Sequence, residues 1–427
     1  IRIQLMRQLI LAFASAVQSI DADNWDSLMG RDNPFVRHAY LLSLEESLSA
    51  CAATGWRPHH LCVFDATGSE FAQELAPDTV IISPKDAADF MTLPLLALMP
   101  LYQKSHSYGE YVFDWAWAQA YERHGLEYYP KLLNAIPFTP VQGRRMGLSP
   151  TLLAEEAQQL SLAVLSCLNG QLANADTPMS SWHSLFVSSS QQALFTEASN
   201  YTALRRLSTQ FHWHNRGYKD FATFLAALTS RKRKNILKER AQLQPYGLQY
   251  EFVAGAEISS QQWQHFIECY QLTYLKRSGH RGYLTPTFFY MIAERLAEQI
   301  VLLVVSDAKG QMIAGALYFT GRNEQGQTCL FGRYWGSIVE LEGLHFEACY
   351  YQGIEYCIAH NIGLFDAGAQ GEHKVLRGFE PVALYSYHNI AHPEFKRAIA
   401  HFTDEEAAQM EVYMQQMREV LPYKKGQ

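Results

Sequence analysis

The chain has 427 residues, enough for two or three domains or one large one. Apolar residues make up 48% and charged residues 18%, the balance of a folded chain with a sizeable core, which excludes a disordered or fibrous protein. The formal net charge of −7 speaks against a generic nucleic-acid coat while leaving a local basic groove open, and no apolar run reaches the roughly 18 residues that a membrane span requires.

The seven cysteines are scattered, odd in number and never in a CxxC or Cys/His metal spacing. They read as reduced core thiols, which points to a cytoplasmic protein without a metal centre. Arg7 followed by Leu9 to Val17, with Ala14-Ser15-Ala16 inside the run, has the outline of a short signal peptide. The run is brief, however, and Ile20 to Leu28 continues it with helical spacing, so a first strand and helix are expected. The chain begins at Ile1 rather than Met, which fits a trimmed start.

In chain order, Asn33-Pro34-Phe35 turns into a helix expected over about 38–52, and Leu61 to Phe64 reads as a strand. Pro84, Pro94 and Pro100 break the apolar segment 80–100. Lys104 to Trp117 concentrates polar and aromatic residues. Tyr128 to Val141 reads as extended, Leu152 to Leu168 as helical, Leu185 to Val187 as a strand and Gln191 to Ala198 as a short helix. A composition shift near residue 200 marks a boundary. Beyond it come a strand at 211–214, a helix at 221–228 and a basic helix from Ser230 to Arg240. A strand at 248–253 and two helices at 261–275 and 286–297 follow, the latter with Thr285 as cap and Pro286 at its first position. Three strands (300–306, 312–318 and 327–334) lead into the densest stretch, Phe331 to Val382, and 393–417 closes the chain as a helix.

That stretch reads as strand, turn, helix, strand and loop. Phe346, Cys349, Tyr350, Gly353, Ile354, Cys357 and Ile358 recur three and four apart, which puts them on one helix face, and Asn361 and Gly363 close the helix. After the strand Leu364-Phe365-Asp366, the loop from Ala367 to Pro381 sets glycines beside Glu372, His373, Lys374 and Arg377, so a backbone can approach a ligand while polar side chains converge on it. Each half of the chain has the same rhythm, which suggests two mixed α/β domains of similar build over 1–200 and 201–400, with a helical tail at 401–427.

Leu344-His345-Phe346-Glu347, Glu355-Tyr356, Phe365-Asp366 and Lys374-Val375-Leu376-Arg377-Gly378-Phe379 resemble part of the Fem-type peptidoglycan-bridge aminoacyltransferases, as does the basic run Arg233 to Lys238. Over roughly 18–400 the chain resembles more closely the FemAB-like N-acyltransferases of peptidoglycan biosynthesis or recognition. The matching strings are Asn33-Pro34-Phe35, Lys104 to Trp115, Ser230 to Ile236, Arg333-Tyr334-Trp335-Gly336 and Gly368 to Lys374. The resemblance implies an α/β fold of two tandem GNAT-like domains in the Fem-type arrangement. It also implies transfer of an acyl or aminoacyl group from acyl-CoA or aminoacyl-tRNA to a primary amine, such as that of a peptide or cell-wall precursor. No tightly bound cofactor is expected, the donor being a co-substrate; tRNA is a candidate partner, and the oligomeric state is open.

Such chemistry needs an amine that loses its proton, a carbonyl polarised by donors and an acid for the leaving group. Glu372 and His373 are the first candidates for the base, followed by Glu110 and Asp114, and Tyr334 is a candidate acid. Substrate contacts are expected from Tyr108, Glu110, Tyr111, Asp114, Trp115, Arg333, Trp335, His345, Gln370, Lys374 and Arg377. Glu340, Glu342 and Glu347 flank the helix start where a GNAT fold holds pyrophosphate, and they oppose a diphosphate there. Phosphate contacts are therefore expected from Arg144 and Arg145 before the helix at Leu152, and from Arg231, Arg233 and Lys234. Surface or core roles compete for each of these residues, and a non-catalytic module binding a peptide or peptidoglycan precursor is the alternative for the whole.

Overall fold

The computed structural model describes residues 7–73, 76, 79–174, 178–197, 203–369 and 371–424, so Gln370 lies outside the described residues. The chain divides into two compact units. The first comprises Ile1–Arg31, Phe35–Ser208 and Leu384–Gln409; the second comprises Asp32–Pro34, Thr209–Ala383 and Met410–Gln427.

In the first unit, strands β1 (Leu9–Ala14), β3 (His60–Asp65), β4 (Val80–Asp86), β5 (Leu95–Met99) and β8 (Gly147–Leu148) form a sheet in the order β4–β1–β3–β5–β8. Only β4 runs parallel to its neighbour. Strands β2 (Trp56–Pro58), β6 (Tyr102–Lys104) and β7 (Lys131–Asn134) pair antiparallel in that order, and β7 runs parallel to β9 (Ser181–Val187). A parallel pair needs a long crossover, and the 19-residue helix α4 (Ala154–Leu172) supplies it. Leu160, Val164, Leu165, Cys167 and Leu168 face the core from α4. Strand β16 (Glu380–Ile390) adds antiparallel to β9. Helices α1 (Ala22–Met29), α2 (His38–Glu46), α3 (Trp115–Arg123) and α5 (Gln192–Glu197) complete the unit. The helix expected over 38–52 stops at Glu46, because Leu48 takes a left-handed φ of 60° that a helix cannot contain.

In the second unit, β10 (Leu204–His214), α6 (Phe221–Ala227) and α7 (Ser230–Ala241) precede β11 (Gln249–Ala254). Helices α8 (Ser260–Ser278) and α9 (Pro286–Arg295) follow. A capping box of Ser259 and Gln262 starts α8, left-handed Gly279 stops it, and Thr285 caps α9 ahead of Pro286. Strands β11, β12 (Ile300–Ser306), β13 (Met312–Arg322) and β14 (Thr328–Ser337) form an antiparallel meander. The chain then crosses through α10 (Leu344–Phe346), a π turn at Glu347–Tyr351 and α11 (Gln352–Ala359) to β15 (Leu364–Asp366). β15 lies parallel to β14 and antiparallel to β10. Asn361 closes the helix with φ 51°. The last helix, α12 (Pro393–Glu419), has residues in both units.

Both units thus contain a strand, a crossover helix and a parallel strand: β7–α4–β9 in one, β14–α10/α11–β15 in the other. The expected split at 200 and 400 differs from the observed grouping at the C-terminal end. Leu384–Gln409 belongs with the first unit, because β16 takes its ladder partner there.

Two irregularities set up the functional region. The ladder of β13 with β14 passes from Tyr318↔Gly332 to Leu317↔Tyr334, so Arg333 is an extra, bulged residue. The ladder of β14 with β15 ends at Phe331↔Asp366, although β14 continues to Ser337. The two parallel strands therefore part company just where the bulge redirects β14.

Further along β14, a Cβ on Gly336 would sit 2.2 Å from backbone atoms of Cys269 and Tyr270 in α8. Backbone cannot yield as a side-chain tip can. Gly336→Ala is expected to cost about 3 kcal/mol or more in urea unfolding, the upper range for forced overpacking.

Candidate active site

In the second unit a cavity of about 90 Å³ opens at the divergence of β14 and β15, lined by Arg333, Tyr334, Trp335, His345, Cys349 and Tyr350 among others. A larger open cleft of about 500 Å³ adjoins it through Trp335 and His345. Arg333, which lines the cavity, is bonded within the protein. Its guanidinium donates to the carbonyl of Gly332 on β14 (3.0 Å), to the carbonyl of Asp366 on β15 (3.0 Å) and to both carboxylate oxygens of Asp366 (2.6 and 3.1 Å). Burial alone would raise the Asp366 carboxyl, but the Arg333 charge overrides it and holds the pKa at about 2. Arg333, a residue expected to bind substrate, forms a wedge that satisfies both strands where they stop pairing each other.

Lys374 and Arg377 are likewise engaged by the protein. The buried Lys374 ammonium donates to the carbonyls of Ala367, Gly368 and Ala369 (3.0, 2.7 and 3.4 Å), fixing the loop after β15; burial lowers its pKa to about 8. Arg377 donates to the His373 carbonyl and to Glu239 (2.7 Å each) and lies 3.7 Å from the centre of the Phe346 ring. Both residues expected to hold a substrate anion are thus bonded within the protein.

Of the two proposed bases, Glu372 is exposed and accepts from Tyr413 (3.0 Å). His373 is exposed on one side, and its Nε2 lies 2.9 Å from the Tyr350 hydroxyl, which faces the cavity. Burial, then the Arg377 and Lys374 charges, lower the His373 pKa, and burial raises that of Tyr350. His345, whose Nδ1 is buried without a hydrogen-bond partner among the described residues, stays neutral: burial and the nearby Arg277 charge bring it to about 3. The Tyr334 ring touches the cavity but packs among Tyr270, Phe288, Phe289 and Phe319. The hydroxyl that stands beside a histidine is that of Tyr350, a residue that the helix periodicity assigns to the core.

In the first unit, the string from Lys104 to Trp115 folds around a residue with no such prominence in the sequence. Lys131 is completely buried and donates to Ser107 (2.8 Å), Glu110 (2.9 Å) and Asp114. Asp114 also accepts from Tyr128 (2.7 Å), whose hydroxyl lies 3.4 Å from His183, and His183 and His388 share a hydrogen between their Nδ1 atoms (2.6 Å). Burial would discharge Lys131, but the two carboxylates raise it to about 12. Lys104, also fully buried, sits 3.7 Å over the Trp56 ring with one long bond to the Tyr108 carbonyl (3.4 Å). Glu110 and Asp114 therefore hold Lys131. Tyr108 is exposed and leans on Trp115, and Tyr111 takes a left-handed φ of 62°.

The expected phosphate contacts separate into two groups. Arg145 is buried and donates to the carbonyls of Leu185, Arg144 and Val141, and Arg144 donates to Leu28, so this pair ties loops together. The side chains of Arg231, Arg233 and Lys234 have no hydrogen bond or ion pair among the described residues and stay on the solvent side of α7, of which only Ile236 is buried. Arg240, later on the same helix, grips Glu347 and Glu355. Glu347 is thus buried and neutralised and does not oppose an anion at the helix start; Glu340 pairs with Lys276, and Glu342 is exposed.

A family profile termed FemAB-like and described as peptidoglycan biosynthesis/recognition matches residues 16–425. No curated protein matches the chain. Among solved structures, the chain is similar to FemX (TM-score 0.46, 11% identity, 90% of this chain and 98% of that one) and to L-PGS from Bacillus licheniformis (0.42, 10%, 72% and 85%). It is also similar to Saccharomyces cerevisiae N-myristoyltransferase with bound myristoyl-CoA (0.37, 11%, 89% and 78%).

Removing the cation from a buried cluster leaves its anions uncompensated, so Lys131→Met is expected to lose about 3–5 kcal/mol in denaturant unfolding. Burial raises Glu110 to about 7 and lowers Lys104 to about 7. The Glu110 contribution to stability is full below its unfolded pKa and is lost as pH rises through 7. That of Lys104 is full above its unfolded pKa and is lost as pH falls through 7. Relative to Lys104→Met/Glu110→Gln, the native chain should therefore be least stable near pH 7 and gain toward both sides in urea titrations over a pH series.

Proposed function

The chain belongs to the FemAB-like family of peptidoglycan biosynthesis/recognition, and from that premise we propose that it is an N-acyltransferase working at the cavity between β14 and β15. The supporting observation is the divergence itself. Beyond Phe331 the β14 edge has no β15 partner, so its backbone groups can meet a donor's carbonyl, and Tyr350, which lines the same cavity, has its hydroxyl bonded to His373. A non-catalytic recognition module would have no need of a cavity reaching the Arg333 strand.

In this reading an acyl thioester or ester lies along the freed edge of β14. A primary amine attacks its carbonyl carbon, and the negative charge that develops on oxygen is stabilised by backbone donors fixed in place by the Arg333 wedge. As the tetrahedral intermediate collapses, the Tyr350 hydroxyl gives its proton to the leaving sulfur or oxygen. The proton released by the attacking nitrogen returns to Tyr350 through His373, whose exposed side also exchanges with solvent. His373 acts in its neutral form, which its lowered pKa favours at neutral pH. The donor is acyl-CoA or aminoacyl-tRNA, and the acceptor is an amine of a peptide or cell-wall precursor. Among the described residues no helix is long and apolar enough to cross a membrane.

Native mass spectrometry with acetyl-CoA, longer acyl-CoAs and an aminoacyl-tRNA should identify one bound donor class; binding of none would favour the recognition module. With that donor, Tyr350→Phe is expected to lower turnover by about 10²–10⁴-fold, the usual contribution of a proton-transfer group. His373→Asn should flatten the acid limb of the pH–rate profile, while Glu372→Ala stays within about twofold. Unchanged turnover in Tyr350→Phe would remove the cavity from the chemistry.

A further inference from the structure

The larger cleft beside the cavity has two walls of opposite charge. One is the end of α8, with Lys276 and Arg277; the other is the segment between β14 and α10, with Glu340 and Glu342, and Trp335 and His345 form the passage to the cavity. Lys276 and Glu340 pair across the cleft at 2.8 Å. Arg277 and Glu342 are exposed, and neither side chain has a hydrogen bond or ion pair among the described residues. A guanidinium with its fork open matches a carboxylate in two parallel bonds, and a carboxylate matches an ammonium. A dianionic phosphate would gain Arg277 but meet the unpaired Glu342 carboxylate opposite it.

Resting on the transferase reading, we propose that this cleft is the acceptor subsite and that it selects a zwitterion: an amino-acid or short-peptide end whose carboxylate docks on Arg277 and whose ammonium is received by Glu342 before it loses a proton and enters the cavity past His345. The pairing explains why both charges are kept in one cleft without being joined to each other, as Lys276 and Glu340 are. It also orders the ligand, since anchoring the carboxylate on the α8 wall turns the amine toward the opposite wall and the passage.

Calorimetric titration tests this without any donor, using alanylalanine, its C-terminal amide and its N-acetyl derivative. The native protein should bind the dipeptide at least about tenfold more tightly than either derivative, and low salt should strengthen the preference. Arg277→Gln should abolish discrimination against the amide alone, and Glu342→Gln discrimination against the N-acetyl form alone. Both side chains are exposed, so unchanged melting temperatures are expected. Equal binding of the dipeptide and its amide, no binding of the dipeptide, or discrimination that survives both substitutions would overturn the proposal. Acyl transfer to amines without the charge preference would overturn the zwitterion subsite alone. The preference without transfer from any donor would support the subsite while overturning the transferase reading.

Discussion

The second unit depends on one ion pair at the point where two parallel strands separate. Backbone groups on a strand that loses its neighbour must find other partners or stay wet. Arg333 meets that demand from inside the gap: one guanidinium serves a carbonyl from each strand and the Asp366 carboxylate as well. A buried ion pair of this kind adds little to stability compared with a well-packed apolar pair, but it fixes a geometry that apolar side chains would let collapse. The cavity exists because the strands cannot close over the bulge.

Around that point, cations are used as fasteners. Lys374 gathers three successive carbonyls, Arg377 joins the loop to Glu239 of α7, and Arg240 clamps α7 to the crossover helix through Glu347 and Glu355. The first unit repeats the device with Lys131 among Ser107, Glu110 and Asp114. Each is a charge removed from water and compensated by several oxygens, the condition under which a buried cation is tolerated. The residues that move a proton in the proposed reaction are uncharged by comparison: a tyrosine kept neutral by burial, and a histidine kept neutral by burial and by the Arg377 and Lys374 charges.

Much of the fold was legible because its signals are local. The strand meander, the cap of α9 and the crossover helix all follow from apolar period, capping residues and turn glycines. The region of the site was also visible, since glycines and titratable residues crowd between Phe331 and Val382. What each residue does there was not, because the partner of a charge is decided by the fold. Lys374, Arg377 and Arg333 read as ligand contacts, yet their partners are carbonyls and acids of the chain. Lys131 could have been suspected, as a lone lysine in the apolar run before Leu132 and Leu133 that must be compensated if it is buried. Nothing local points to His183 meeting His388, which lie 205 positions apart. Tyr350 was hidden differently: a period-3.6 pattern places it correctly on the inner face without distinguishing a packed ring from a working hydroxyl.

The π turn at Glu347–Tyr351 has a consequence for how this segment can change length. It houses one residue more than a regular helix would, and its mark is contact at a spacing of five: Gln352 bonds Glu347 at 2.8 Å, and the His345 and Tyr350 rings lie 5.5 Å apart. Deleting a single residue there would let the helix anneal into uninterrupted α geometry, with every backbone bond made and a gain in local regularity. It would also rotate the helical turn before the deletion by about 100° relative to α11, carrying His345 out of register with Tyr350. The helix is thus held one residue away from a more regular arrangement, and the reading frame of its two halves matters to the cavity more than the identity of the residue that fills the extra place.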